Sequence, residues 1–114
     1  MANTFKIKSN AAMPASAGTP LTLYTCPGST STVVLGLLLC NIDTSQRTVD
    51  VKIESDTSDT ETNADVELVT TTPIPGNSTL ELLSGNKIVM QTTDYIRVYG
   101  SGAVDVALSV MEIT

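Results

Sequence analysis

The sequence has 114 residues, a net charge of −6, no histidine and only four aromatic side chains, Phe5, Tyr24, Tyr95 and Tyr99. That length supports one domain with a modest core of Val, Leu and Ile, while the acid excess argues against a nucleic-acid partner, which would need clustered Lys and Arg. The 18 Thr and 11 Val suit a pleated surface and crowd a helical turn, so the expected class is all-β.

Residues 1–20 are rich in Ala, Ser, Gly and Pro and show no sustained period, which reads as an extended N-terminal arm. Phe5 and Ile7 flank Lys6 there, a short alternation that fits either pairing on a sheet edge or a disordered tail. The segment lacks the continuous apolar core of a secretory leader, so synthesis and retention in the cytoplasm are expected. The domain proper is expected over residues 21–114. LTLYT (21–25) sets Leu21, Leu23 and Thr25 against Thr22 and Tyr24, then stops at the turn residues Pro27 and Gly28.

The run from Val33 to Ile42, VVLGLLLCNI, is apolar in both alternating sets. As a helix it would cover about 15 Å, roughly half of a bilayer's hydrocarbon, so no membrane span is expected. It reads as a long central strand with Val33, Leu35, Leu37 and Leu39 on one face and Val34, Leu38, Cys40 and Ile42 on the other. Gly36 admits a neighbour's bulk or marks a bulge. TVDVKIE (48–54) then alternates cleanly, with Val49, Val51 and Ile53 against Asp50, Lys52 and Glu54, the mark of a strand with one wet face.

SDTSDTETN (55–63) has no apolar residue and reads as a solvated loop. Its acids lack the spacing and the glycine of a calcium loop. A weakly alternating strand over 64–72 is expected to stop at PIPGN, because proline cannot donate to a ladder. TLELL, KIVM, DYIRVY and AVDVALSVMEI follow, separated by SGN, QTT and GSG, and SGN suits a tight hairpin. About eight antiparallel strands and no helical period predict a single-domain β-sandwich or small jelly roll. The last strand is again two-faced, with Val104, Val106, Leu108 and Val110 opposite Ala107, Met111 and Ile113. Two long two-faced strands in so small a domain predict that one outer face is covered by another chain.

Candidate chemistry is sparse. Without histidine the commonest catalytic base and zinc ligand are missing, and no serine sits in a GxSxG elbow. Cys26 and Cys40 have no metal-ligand spacing; Cys40 reads as a small buried hydrophobe, and a bond between the two is not decided by sequence. No enzyme activity, metal or cofactor is expected. Tyr95, Arg97 and Tyr99 stripe one face of a strand, either to bind sugar or protein or simply to cover a half-exposed sheet.

LYTCPGSTSTVVLGLLLCNIDTSQRTVDVKI, TTPIPGNSTLELLSGNKIVMQTTDYIRV and VDVALSVMEIT together resemble small virion structural proteins of tailed bacteriophages, especially those of marine bacteria and cyanobacteria. The likeness lies in a YT-Pro-Gly turn, a long apolar strand ending in Asn, a PIP-Gly-Ser turn, a GNKIV hairpin and a final LSV-x-E strand. Cys26 before the proline and the long acidic loop depart from it. The resemblance implies a protein assembled in the host cytoplasm and located on the virion, most simply a capsid decoration or cement protein. Its partners would be the major capsid protein or other virion proteins and copies of itself, without nucleic acid or membrane. A neck, collar or tail-attached protein and a host-receptor or glycan-binding module are the alternatives. The candidate interface is Phe5, Ile7, Val34, Leu38, Ile42, Met111 and Ile113; the candidate binding face is Tyr95, Arg97 and Tyr99.

Overall fold

The computed structural model describes residues 3–11, 21–55, 64–83 and 87–114. The short apolar alternations become strands: β1 (Asn3–Asn10), β2 (Leu21–Thr25), β3 (Ser31–Asn41), β4 (Arg47–Glu54), β5 (Val66–Ile74), β6 (Thr79–Leu82), β7 (Ile88–Met90), β8 (Tyr95–Gly100) and β9 (Val104–Ile113). No helix occurs among the described residues. Eight of these strands are those expected of the domain; the ninth, β1, lies within residues 1–20, read from sequence as an extended arm, and instead pairs on the sheet edge, the alternative that Phe5 and Ile7 offered.

Pairing is nested. β4 pairs with β5, β3 with β6 and β7, β2 with β8 and β1 with β9, all antiparallel. The chain is thus one long antiparallel ribbon, rolled until β9 also meets β3 and β8 also meets β4. This is the winding of a jelly roll. It gives a five-stranded sheet ordered β1-β9-β3-β6, with β7 also on β3, and a four-stranded sheet ordered β2-β8-β4-β5.

The core lies between the sheets, where Leu37, Leu39, Leu108 and Val110 of one meet Val49, Val51, Ile96 and Val98 of the other. At about 1.5–3 kcal/mol for each fully buried aliphatic side chain, these residues carry most of the folding drive. β4 keeps its predicted faces. The two-faced strand does not, because the register shifts between Val34 and Gly36, leaving Leu35 as the extra residue. The bulge flips the phase. Val34 therefore points inward with Leu37 and Leu39, fully buried, and is a core residue rather than part of an interface. A second shift, between Thr22 and Tyr24, turns Tyr24 inward to face Ile96, against the expected alternation of β2.

β5 runs through Pro73 to Ile74 instead of stopping at Thr72. It is the edge of its sheet, and an edge strand tolerates the missing donor. Where β3 ends, Asn41 is buried; its Nδ2 donates to the carbonyls of Ser45 and Ile74, both at 2.9 Å, and its Oδ1 accepts from the amide of Asp43 at 2.9 Å. Asn41 thereby locks the 41–47 turn to the end of β5. Of the expectations above, the arm over 12–20, the acidic loop over 56–63 and the SGN turn at 84–86 lie outside the described residues.

Candidate functional site

Cross-strand partners in an antiparallel sheet share a face, so the register assigns the outer surface of the five-stranded sheet. Phe5 stands opposite Met111, Ile7 opposite Ser109, Val33 opposite Met111 and Val89, and Leu38 opposite Ala107. Five of the six exposed large hydrophobics of the described residues belong to this side or its rim: Phe5 (70%), Ile7 (67%), Val89 (62%), Ile42 (50%) and Leu38 (45%). Met111, Ile113 and Leu35 are half-buried between them. Two shallow depressions open here, one lined by Ser9, Leu38, Cys40 and Ala107, the other by Ile7, Leu35, Leu38 and Ser109. Glu81 of β6 and Asp105 of β9, opposite Leu38 and Cys40 in register, add acidic positions to a surface whose other polar groups include the hydroxyls of Ser9, Thr79 and Ser109.

Six of the seven expected interface residues thus gather on one face, and only Val34 is lost to the core. Val33, Leu35 and Val89 belong to the face and were not among those expected. Leu35 and Val89 were not legible: Val89 sits in a strand of three apolar residues, and the position of Leu35 depends on the bulge.

The outer surface of the four-stranded sheet is built differently. Tyr95, Arg97 and Tyr99 do lie together, opposite Glu54, Lys52 and Asp50 of β4. Arg97 Nε approaches Glu54 Oε2 at 3.2 Å and donates to Thr22 Oγ1 at 3.2 Å, while its guanidinium stacks 5.0 Å from the centre of the Tyr95 ring. Tyr95 Oη donates to Glu54 Oε1 at 3.2 Å. The hydrogen bond of the Tyr99 hydroxyl to Asp50 is the main reason that its pKa is raised. These groups satisfy one another, and Arg97 covers one side of the Tyr95 ring.

A polar cluster that sequence reasoning missed spans the two sheets. Glu112 of β9 occupies an inward position and is buried. Tyr24 Oη donates to its Oε2 at 2.6 Å and lies 2.8 Å from Thr32 Oγ1, and Lys6 Nζ of β1 pairs with Glu112 Oε1 at 2.9 Å. The Tyr24 hydrogen bond, then that of Lys6, holds the Glu112 carboxyl below its usual range despite desolvation. The signal in the sequence was a charged residue continuing the inward series Val104, Val106, Leu108, Val110. Both cysteines are free thiols, and no cluster of metal-ligating side chains exists among the described residues.

No protein-family model matches the chain, and no curated protein matches it. Among solved structures it is similar to one described as the crystal structure of infectious bursal disease virus VP2 subviral particle, at 10% identity and a TM-score of 0.49. The match covers 96% of this chain and 36% of that one, so this chain spans about a third of its length. Among the described residues no helix is long and apolar enough to cross a membrane.

Proposed function

We propose that this protein is a structural component of a tailed-phage particle, a decoration or cement protein that docks on the head lattice through the outer face of its five-stranded sheet. Jelly rolls serve capsid proteins and lectins alike, so the decision rests on the surfaces and not on the fold. The observation that carries the reading is the contrast between the two faces. One presents Phe5, Ile7, Leu38, Ile42 and Val89 to water, a contiguous apolar surface of the kind that marks a protein contact. The other has its aromatic and charged groups engaged with one another, which leaves a poor platform for stacking a sugar.

The mechanism is passive. Covering the apolar face contributes free energy at each site, and repetition over a symmetric lattice multiplies modest contacts by avidity. The sequence resemblance to phage virion proteins supports the same role.

Cosedimentation with heads stripped of this protein tests it. The wild type is expected to bind and Leu38→Glu, folded by circular dichroism, to fail; binding retained by Leu38→Glu would sink the reading. A particle reconstruction with the chain in one ring at the neck would favour the tail-attached alternative. Binding to a glycan array that disappears in Tyr95→Ala would favour the receptor-binding one.

A further inference from the structure

β1 ends its sheet, and among the described residues no strand pairs along its outer edge. It follows β9 in unbroken register from Asn3 to Asn10, with no proline and no bulge to turn the edge away from a partner. Its two large apolar side chains, Phe5 and Ile7, are the most exposed of the described large hydrophobics. A long edge without bulge or proline is a template for strand addition. Edge lysines ordinarily oppose such pairing, and β1 carries Lys6 and Lys8. Lys6, however, is already ion-paired with the buried Glu112 at 2.9 Å, so its charge is met from within its own subunit.

We propose that β1 pairs antiparallel with β1 of a second copy across a two-fold axis, joining the two five-stranded sheets into one continuous sheet. Because partners share a face, odd-numbered residues of one strand must meet odd-numbered residues of the other. With Lys6 on the axis, Phe5 of each copy meets Ile7 of the other, giving two apolar cross-strand pairs of the stabilising type. Sliding the strands by two residues leaves only one such pair. The two Lys6 ammonium groups then face each other, a contact that would be unfavourable without a Glu112 beneath each. On the outer face Phe5 stands beside Met111 and Ile7 beside Ser109, so pairing makes the two copies' docking faces contiguous. The inference does not depend on the virion role and is tested on the isolated protein.

A single strand pair is a small interface, so covalent trapping is the suitable readout. In a Cys40→Ala background, the Phe5→Cys and Ile7→Cys variants are mixed under mild oxidation. Both positions are exposed and leave the core untouched. A covalent heterodimer is expected in severalfold greater yield than from Phe5→Cys mixed with Thr70→Cys, an exposed position in the other sheet. Equal yields would overturn the proposal. So would a predominant link between Phe5→Cys and Met111→Cys on separate copies, which would mean that β1 docks on a neighbour's β9. Glu112→Gln is expected to lower the yield by leaving the lysines unmatched, and Lys6→Gln added to it to restore the yield; a yield indifferent to both would refute the neutralised-axis register.

Discussion

At Glu112 a carboxylate replaces the aliphatic residue that the inward phase of β9 otherwise supplies. A buried charge is costly unless partnered, and here Tyr24, Lys6 and the Thr32 hydroxyl beside Tyr24 form the partnership. The Glu112 carboxyl is held below its ordinary value of 4.5, first by the Tyr24 hydrogen bond and then by Lys6. The phenol of Tyr24 moves the other way, raised by burial and by the same carboxylate. A depressed carboxyl contributes stability that is complete above its unfolded value and is lost as pH falls through the folded one. Urea unfolding from neutral to acid pH should therefore show stability falling below the ordinary carboxylate value in the wild type and a flatter acid limb in Glu112→Gln; parallel limbs would refute the role. Tyr24→Phe removes a hydrogen bond to a charged group and is expected to cost about 1.5–3 kcal/mol in the same assay. Nearby, burial raises the Cys26 thiol, and its Sγ donates to the Thr30 carbonyl at 3.2 Å. A protonated, buried thiol is inert, so alkylation of the native protein should label Cys40 and spare Cys26 until the chain is unfolded.

Strand phase is the property that sequence reading only half recovered. β9 kept its two expected faces although both read as apolar, and β4 was legible because polar residues punctuate its alternation. β3 was not, since a run apolar on both sides carries no polar residue to report a one-residue slip. The extra residue at Leu35 moved Val34 into the core, and a similar slip moved Tyr24. β7, with three residues, is too short to declare a phase, which hid Val89. Two glycines separate a bulge from a true steric need. At Gly36 an added Cβ would meet nothing within 4 Å, so Gly36→Ala should raise stability by about 0.4–1 kcal/mol through the unfolded chain. At Gly76 the added Cβ would lie 2.2 Å from the carbonyl oxygen of Thr44, in the turn that Asn41 organises. Gly76→Ala must push that backbone aside and is expected to lower stability by about 1–3 kcal/mol. Urea midpoints of the two variants should move in opposite directions from the wild type, and a shared direction would contradict this assignment.

Across the whole molecule the nested ribbon makes its two ends neighbours, with β1 as the outermost turn of the roll. None of the buried hydrophobic core comes from β1; what β1 supplies is a ladder along β9 and the ammonium beside Glu112. Removing residues 1–10 should therefore leave a cooperative fold, because the apolar burial that drives folding remains. The truncated protein is expected to unfold at lower urea with nearly the same slope, since the slope follows the surface exposed on unfolding and most of that surface lies in the retained core. Its β9 becomes a bare edge whose outer side holds Met111 and Ile113, so self-association by strand pairing should rise, seen as scattering that grows with concentration. The comparison also separates two roles for the N-terminal segment. If the segment is only an edge strand, the truncation keeps its docking face of Leu38, Ile42 and Val89 and still binds heads, more weakly for want of Phe5 and Ile7. If it clamps a neighbouring subunit, head binding is lost although the domain is folded. A collapse of cooperativity on truncation would contradict both, and would mean that the β1 ladder holds the roll closed.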